Sequence, residues 1–368
     1  MTFPGSEPSS YFSPRLLMVL KAIVPEILLI SGTAGLATAS RIPDVKCYLV
    51  PHRPSGRPVG RVLRYCATQI RLAAHTIQLS RKVDAWVFHT GGDTLILAMA
   101  AARLLRKPVV LVLTGSSAGT LVASGDGYAG LLEVVSAMTS ALATRIGVYT
   151  AGAAETTQLK KRAAKVRIVH EHYVDPVDFR ECHDINEREP IVGYLGRLSQ
   201  EKGILNLVDA ATILCARQPE VRFVIGGTGP LERELRERLE RASLQGRIDL
   251  LGFIEHDKVP DFLSGLKLLV LPSYAEGLPM VVIEGMACGV PVLATTAGSL
   301  PDLIRDEFTG FIARDNRPDS LAADIERALS NRQLLQIAIR AKGLVEARFT
   351  YAAAVEGYRQ ALTDATRG

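Results

Sequence analysis

The stretch that decides the fold is Leu271–Ile304, LPSYAEGLPMVVIEGMACGVPVLATTAGSLPDLI. Its first residue ends a run of four apolar residues, which predicts a buried strand stopped by Pro272. After a loop, Pro279 can begin a helix because the first helical turn tolerates a missing N–H, and Gly289 is typical of a helix end. The apolar residues Val290–Ala294 predict a second short strand. The stretch is therefore a β-loop-α-β unit.

Two glutamates of this unit are candidates for ligand binding. Glu276 lies in the loop at the carboxyl end of the first strand, and Glu284 lies on the helix behind it. Ligands of open α/β sheets bind at the carboxyl ends of the strands. Two solvated glutamates near a helix start are the simpler interpretation, because carboxylates are favoured there. The two residues can also approach one crevice from different elements.

A second motif, GYLGRLSQEKG, spans Gly193–Gly203. The apolar run before it predicts a strand that ends at Gly196, so Arg197 and Lys202 lie in the loop that leads into a helix. A diphosphate is bound by fixed cations together with donated N–H groups, and a helix start supplies such donors. A solvated Arg/Lys pair beside Glu201 is the alternative interpretation.

Two further segments follow predicted strands. In IGGTGP, residues 225–230, Gly227 and Gly229 would let the backbone pass close to a nucleotide. A plain glycine turn is an equally good interpretation of that segment alone. The segment LGFI, which ends in Phe253 and Ile254, contains no polar side chain.

Taken together, EGLPMVVIE, ACGVPVLAT and GRL…EKG resemble the signature of the retaining glycosyltransferases of family 4. The resemblance is close over Pro190 to about Thr350 and only architectural before that. It implies the GT-B fold, an α/β protein of two Rossmann-like, doubly wound domains facing across a cleft. It also implies transfer of a hexose-type sugar from a nucleotide-diphosphate donor, bound by the second domain, to a hydroxyl acceptor, bound by the first, in glycan or glycolipid synthesis.

The resemblance also implies roles for single residues. Arg197 and Lys202 would bind the donor diphosphate, Glu276 would lie against the donor sugar, and these three would form the catalytic set. Glu284 would hold the ribose hydroxyls. The remaining expected donor-binding residues are Gly196, Gly227, Gly229, Phe253, Ile254, Gly277, Leu278, Pro279 and Met280.

The first domain departs from the family at its acceptor side. Many members carry a histidine after the strand equivalent to Val109–Leu113, where this chain has Thr114. His89 in FHTGGD follows the preceding strand, and Gly35 lies in a glycine turn after the first strand. These three residues are the acceptor-side candidates. A histidine held only by backbone groups is the alternative for His89, and the family's same-face route, in which a donor phosphate oxygen takes the acceptor proton, needs no protein base.

No divalent metal or other cofactor is expected. The chain has no Asp-x-Asp triplet, so Arg197 and Lys202 would supply the positive charge that stabilises a departing diphosphate. The segment HEHYVD carries His170 and His172 around Glu171. A metal site there is disfavoured because no third ligand lies near in the sequence.

The length of 368 residues predicts two domains, and alternating strands and helices predict parallel sheets. The charged, turn-rich segment 180–189 is interpreted as the linker. We therefore expect an acceptor-binding domain at 1–187 and a nucleotide-sugar-binding domain at 188–368. The last helix, 351–363, is expected to pack back toward the first domain.

Positive charge is concentrated in the first half of the chain. Residues 1–187 carry 21 Lys and Arg against 14 Asp and Glu, which favours an anionic partner. On the predicted helix Arg61–Lys82, an apolar stripe of Leu63, Cys66, Ile70, Ala73 and Ile77 lies opposite a basic one of Arg61, Arg64, Arg71, His75 and Lys82. We expect the apolar stripe to pack on the sheet, with peripheral binding to an anionic membrane as the alternative.

Other partners and compartments are constrained by composition. The uncharged stretch Ile27–Ser40 is too short to cross a bilayer, and Lys21, Pro25 and Glu26 interrupt the apolar region that a signal peptide needs. Five scattered cysteines fit a reduced compartment. We expect a cytoplasmic protein, or one at the inner face of a membrane, with no nucleic-acid partner.

Four other functions are alternatives to sugar transfer. A nucleotide-sugar epimerase of the same fold and a non-catalytic nucleotide-sugar-binding subunit remain alternatives. A glycosidase would use paired carboxylates but has no need of the cations Arg197 and Lys202. A dinucleotide oxidoreductase is disfavoured because the G-x-G-x-x-G at Gly125–Gly130 does not follow the first strand of a domain.

Overall fold

A computed structural model describes residues 14–32, 39, 42–50, 58–114, 129–155, 157–180, 184–242, 244 and 246–367. Contacts divide the chain into two units, Met1–Glu171 with Ala352–Gly368, and His172–Tyr351. Both units alternate strands and helices around parallel sheets. The α/β class with two Rossmann-like domains is thus confirmed. Gly35 and residues 115–128 lie outside the described residues.

The first domain contains two parallel sheets in its described part. Strands β1 and β2 pair with each other, and the second sheet has the order β3-β4-β5-β6. Its elements are α1 Pro14–Lys21, β1 Ile27–Ser31, β2 Val45–Leu49, α2 Pro58–Leu79, β3 Trp86–Phe88, α3 Ile96–Leu104, β4 Val109–Leu113, α4 Ala129–Leu142, β5 Arg145–Val148, α5 Ala151–Ala154, α6 Thr157–Lys160 and β6 Val166–Ile168.

The described part of the second domain contains a six-stranded parallel sheet in the order β12-β11-β10-β7-β8-β9. Its elements are β7 Ile191–Leu195, α7 Ile204–Arg217, β8 Arg222–Gly226, α8 Glu232–Ala242, β9 Ile248–Gly252, α9 Val259–Ser264, β10 Leu268–Leu271, α10 Met280–Ala287, β11 Val292–Ala294, α11 Leu300–Leu303, β12 Phe311–Ile312, α12 Pro318–Leu329 and α13 Leu334–Arg348. The strand order reverses between β7 and β10. In doubly wound sheets ligands bind at that switch point.

The β-loop-α-β unit predicted from Leu271–Ile304 is confirmed as β10, α10 and β11. All four residues of β10 are buried, as expected for a central strand covered on both faces. Helix α10 begins at Met280, so Pro279 is its N-cap residue. Gly289 follows the helix with φ of 67°, the left-handed conformation typical of helix ends.

The division between the domains falls at residues 171 and 172, whereas the sequence predicted it at 187 and 188. Composition suggested a linker at 180–189, but two described residues of that segment, Ile185 and Arg188, are buried in the second domain. Ile185 is fully buried in that domain's core. The buried guanidinium of Arg188 donates to the carbonyls of Leu266 and Cys288 at 2.9 and 3.1 Å.

The last helix, α14, spans Tyr351–Arg367, and its residues from Ala352 onward group with the first domain. Arg167, in β6, donates through Nε to Asp364 at 2.7 Å. Gly357 lies so close to β6 that an added Cβ would be 3.1 Å from the carbonyl oxygen of Ile168. The helix is therefore tightly packed on the end of the first-domain sheet.

The prediction for α2 was wrong about the side that packs inward. Leu63 and Ile70 are 65% and 63% exposed. The buried side is largely polar, because its side chains bond to the turn before α3. Gln69 Nε2 and Tyr65 Oη donate to the carbonyl oxygen of Thr94 at 2.7 and 2.6 Å. The apolar stripe is thus on the outer side of the helix.

The helices of the described residues are each too short or too polar to cross a bilayer.

Candidate functional site

The two motifs singled out in the sequence meet at the switch point of the second-domain sheet. Gly196 follows β7 and Pro272 follows β10, and these two strands are neighbours. Lys202 Nζ lies 2.8 and 2.9 Å from the two carboxylate oxygens of Glu276. The side chain of Glu276 is 6% exposed and that of Lys202 is 27% exposed. A buried carboxylate and a cation that still reaches solvent are thus paired at the carboxyl edge of the sheet.

Hydrogen bonds hold the loop of Glu276 in place. The Ser273 hydroxyl donates to Glu276 Oε1 at 2.6 Å, and the Thr295 hydroxyl donates to the carbonyl of Ser273 at 2.5 Å. The amide of Tyr274 donates to the carbonyl of Glu201 at 2.9 Å, which joins the two motifs through their backbones. Glu276 is therefore positioned before any ligand arrives.

Arg197 begins the loop after β7 and is half-buried. Among the described residues its guanidinium has no ion-pair partner. The hydroxyl of Tyr194 donates to the carbonyl of Arg197 at 2.8 Å. Burial, and then the charges of Glu276 and Glu201, raise the pKa of Tyr194 well above its ordinary value, so the phenol keeps its proton and remains a donor. The backbone from which Arg197 projects is thereby fixed.

Glycines allow the loops after β7 and β8 to touch. Gly227 has φ of 125°, and a Cβ there would lie 1.8 Å from the carbonyl oxygen of Gly196. A Cβ on Gly229 would lie 2.3 Å from the carbonyl oxygen of Leu198. The amide of Leu198 in turn donates to Thr228 at 2.9 Å. There is no room for side chains at Gly227 and Gly229 where the two loops meet. A ligand at this point would therefore contact backbone atoms.

The other expected donor-binding residues surround the start of α10 and the end of β9. Glu284 is buried on α10, Leu278 is buried before it, and Gly277, Pro279 and Met280 are partly buried. Phe253 is 75% exposed just after β9. The amide of Gly227 donates to the carbonyl of Gly252 at 2.7 Å, so the segment of Phe253 and Ile254 lies next to the glycine turn. The expected donor-binding residues thus lie around the carboxyl edge of one sheet.

Acceptor-side candidates lie at the corresponding edge of the first-domain sheet. His89 follows β3 and Thr114 follows β4, the neighbouring strand. His89 is bonded to side chains: Nδ1 lies 2.8 Å from Thr90 Oγ1, and Nε2 lies 3.4 Å from Glu171 Oε2. Glu171 and the first-domain tyrosine Tyr149 are thus neighbours of His89 that the sequence did not indicate.

Within the described residues no three His, Cys, Asp or Glu side chains are grouped in a way that could hold a metal ion. In HEHYVD, Glu171 accepts a hydrogen bond from the hydroxyl of Tyr149 at 2.7 Å. The carboxylate between the two histidines therefore accepts a hydrogen bond from a phenol that directly follows the neighbouring strand β5.

Sequence reasoning missed the residues that support the site. Ser273 was visible as the hydroxyl three positions before Glu276, directly after a buried strand. Gly298 had no such signal: its φ is 57°, and a Cβ there would lie 2.0 Å from the carbonyl oxygen of Glu276. Its importance depends on a loop 22 residues away along the chain.

Known proteins resemble this chain in part of its sequence and in its fold. Residues 177–343, which include both motifs, match the family described as Glycosyl transferases group 1. Over 95% of both chains the structure is similar to that of the Anabaena protein HepE in complex with UDP, with a TM-score of 0.75 and 20% identity. The chain has the GT-B fold. Sucrose-phosphate synthase of Thermosynechococcus elongatus is also similar, with a TM-score of 0.65 and 19% identity over 88% of this chain and 85% of that one.

Curated relatives match over part of their length. The alpha-D-kanosaminyltransferase of Streptomyces kanamyceticus is 33% identical over 178 residues, which is 48% of this chain and 46% of the relative. The gpi3 subunit of the phosphatidylinositol N-acetylglucosaminyltransferase of Schizosaccharomyces pombe is 33% identical over 140 residues, 38% of this chain and 31% of the relative. The chain therefore spans less than half the length of these relatives.

The glycine contact at the centre of the site can be tested by substitution. We expect Gly227→Ala to destabilise the second domain by about 2–4 kcal/mol, because both the positive φ and the clash with Gly196 must be relieved by moving backbone. Urea unfolding followed by circular dichroism measures the change.

Gly343→Ala is the matched control. It lies inside α13 with nothing within 4 Å of an added Cβ. Because alanine is the better helix former, this variant should gain up to about 1 kcal/mol. Equal stabilities for the two variants would contradict the close approach at Gly227.

Proposed function

We propose that the protein is a retaining glycosyltransferase of family 4 that transfers a hexose-type sugar from a nucleotide-diphosphate donor to a hydroxyl acceptor, in glycan or glycolipid synthesis. The second domain binds the donor, and the first contributes groups that contact the acceptor. UDP-sugars are the first donors to test, because HepE has been solved with UDP and with UDP-glucose.

The observation that carries the proposal is the Lys202–Glu276 pair at the switch point. An ammonium 2.8 Å from a carboxylate is a cation held at a fixed place, and its partly exposed position lets it be shared with a diphosphate. Arg197 adds a second cation beside the glycine turn. Fixed cations stabilise the charge that develops on a departing diphosphate, while Glu276 is placed to contact the donor sugar.

The remaining donor contacts follow from the same arrangement. Glu284, buried on α10, would accept hydrogen bonds from the ribose hydroxyls, since a carboxylate accepts two at once. The amides of Gly277, Leu278 and Met280 would donate to sugar and phosphate oxygens. Phe253 and Ile254 would offer backbone groups and an apolar surface to the base.

Two other functions remain open to experiment. A nucleotide-sugar epimerase of this fold would convert or hydrolyse the donor without a hydroxyl acceptor. A non-catalytic subunit would bind the donor without turnover. The pre-positioned catalytic set of Glu276, Arg197 and Lys202 favours transfer, because donor binding alone does not require a buried carboxylate held beside the cations.

The donor site is tested by binding and turnover. We expect UDP and UDP-sugars to raise the thermal midpoint, since a ligand of the native state stabilises it by mass action. Lys202→Ala and Arg197→Ala should each lower turnover by about 100-fold because each removes a charge from the leaving group. Arg233→Ala, whose side chain is 92% exposed on α8, is the matched control and should have no effect.

The two glutamates should differ in kinetics. Glu284→Gln should mainly raise the donor KM, because a ribose contact exists in the ground and transition states alike, whereas Glu276→Gln should mainly lower kcat. Exchanged effects would assign the sugar contact to Glu284. Wild-type turnover in both cation variants would rule out the proposed diphosphate site.

Metal independence is a separate expectation. Because Arg197 and Lys202 supply the positive charge, excess EDTA should leave the rate within about twofold of the untreated enzyme. The rate is measured before and after dialysis against EDTA, with added Mg²⁺ or Mn²⁺ as the comparison. Complete loss of activity that Mg²⁺ restores would show that a metal ion carries the diphosphate charge.

We further propose that the protein works in the cytoplasm and binds the anionic inner face of a membrane through the outer side of α2. That side exposes Leu63, Ile70 and Ile77, with Arg64 and Arg71 exposed beside them. Apolar side chains bordered by arginines are typical of helices that lie in the headgroup region. The positive charge of the first half of the chain complements an anionic surface and a phosphate-bearing, lipid-linked acceptor.

Co-sedimentation with vesicles tests this surface. Binding to phosphatidylserine vesicles should fall by about 30-fold in Arg64→Gln/Arg71→Gln, at about 1 kcal/mol for each arginine, and salt should reverse it. The matched control is Arg217→Gln/Arg233→Gln, two exposed arginines of the second domain. If the wild type stays in the supernatant with anionic and neutral vesicles alike, the proposal is wrong.

A further inference from the structure

A buried cluster of four side chains lies at the carboxyl edge of the first-domain sheet. His89 follows β3, Tyr149 follows β5, Glu171 follows β6, and Tyr358 lies on α14. Tyr149, Glu171 and Tyr358 are buried, and the side chain of His89 is 14% exposed. The donor-site chemistry uses none of these residues, which all belong to the first domain.

The two phenols donate to the carboxylate of Glu171. Tyr149 Oη lies 2.7 Å from Oε1, and Tyr358 Oη lies 3.5 Å from Oε2. Burial, and then the charge of Glu171, raise the pKa of both tyrosines well above the ordinary value, so both keep their protons. Two phenol donors suit an ionised carboxylate, which only accepts.

This arrangement determines where the hydrogen of the His89 ring lies. Nε2 is 3.4 Å from Glu171 Oε2 and 3.4 Å from Tyr149 Oη. The phenol hydrogen is directed at Glu171, so both oxygens offer lone pairs to Nε2. Two acceptors around one ring nitrogen require that this nitrogen carries the hydrogen, since the tautomer follows from the partners.

The other ring nitrogen, Nδ1, is then an acceptor, and its hydrogen-bond partner is exposed to solvent. In the neutral ring Nδ1 carries a lone pair, and Thr90 Oγ1 lies 2.8 Å from it. Thr90 is exposed. A carboxylate that orients an imidazole, which in turn orients a hydroxyl, is the general arrangement of an oriented base. It lies where ligands of parallel sheets bind.

We infer that Glu171 is a positioning residue that holds His89 in the Nε2–H tautomer, that Nδ1 of His89 accepts the hydrogen of the Thr90 hydroxyl, and that Thr90 Oγ1 in turn accepts a hydrogen bond from the attacking hydroxyl of the acceptor. The identity of the bound hydroxyl rests on the proposed function. The tautomer rests only on the side chains of the cluster.

The tautomer is measured by ¹⁵N NMR of the histidine rings, with the His89 signal assigned from its loss in His89→Gln. We expect the wild-type ring to carry its hydrogen on Nε2. In Glu171→Gln the Nε2 proton should move upfield, because a neutral amide accepts a weaker hydrogen bond than a carboxylate. A wild-type ring with its hydrogen on Nδ1 would overturn the inference.

Tyr358→Phe is the matched control. It removes a hydroxyl from the same carboxylate without removing a group from the imidazole, so the hydrogen should remain on Nε2. If Glu171→Gln does not fold, Thr90→Val removes the hydrogen-bond partner on the other side of the His89 ring. This variant should keep the Nε2–H tautomer, because Glu171 rather than Thr90 sets it, and a change of tautomer would count against Glu171.

The role in transfer is measured with UDP-glucose and water, the simplest hydroxyl acceptor. His89→Gln and Glu171→Gln should each lower the rate at which UDP-glucose is hydrolysed to UDP by about tenfold. The double variant should be no slower than the slower single variant, because the two residues act as one unit. UDP binding should be unchanged in all variants, since the donor residues lie in the second domain. Wild-type rates in His89→Gln would overturn the role.

Failure of this inference and failure of the proposed function give different results. If the wild type neither binds UDP nor hydrolyses UDP-glucose while the Nε2–H tautomer is observed, the donor proposal and the acceptor role fail together, and the tautomer assignment stands. If UDP-glucose is turned over equally by wild type and His89→Gln, the transferase proposal stands and His89 has no part in it.

Discussion

The second domain depends on the ion pair between Lys202 and Glu276, which joins loops 74 residues apart in sequence. A carboxylate that is 6% exposed must be compensated, because an unpaired buried charge is costly. Lys202 supplies the charge and Ser273 supplies a further donor. The sheet makes the pairing possible, since β7 and β10 are neighbours whose carboxyl ends open on the same edge. The fold thus places a cation and a carboxylate together in the absence of a ligand.

In each domain a buried carboxylate lies at the carboxyl edge of the sheet, Glu276 in the second and Glu171 in the first, and the two are compensated differently. Glu276 is paired with a cation, Lys202, that remains partly exposed. Glu171 is held by the phenols Tyr149 and Tyr358 and by the imidazole of His89. The two phenols donate hydrogen bonds without adding charge, so the carboxylate can still accept one from an imidazole. The same position in the two sheets thus holds carboxylates with different partners.

Helix α2 shows how a correct pattern can lead to a wrong conclusion. The apolar stripe that includes Leu63 and Ile70 exists as the sequence predicts, but it is exposed. Periodicity locates a stripe on a helix and does not state which side faces the sheet. Here Gln69 and Tyr65 determine which side of the helix packs inward, because both donate hydrogen bonds to a backbone carbonyl of the β3–α3 turn. That carbonyl is 25 or more residues away, beyond the reach of a pattern within the helix.

The sequence by itself determined the α/β class, the β-loop-α-β unit around Pro272 and Gly289, and the motifs that carry Arg197, Lys202 and Glu276. These features are local: strand runs, helix ends and glycine turns depend on neighbours within a few residues. Only the tertiary structure decided that Lys202 pairs with Glu276, that residues 172–180 and 184–187 group with the second domain, and that Glu171 faces His89. Each of these depends on which strands lie side by side, and strand order is set by packing over the whole sheet, which no segment of the sequence records alone.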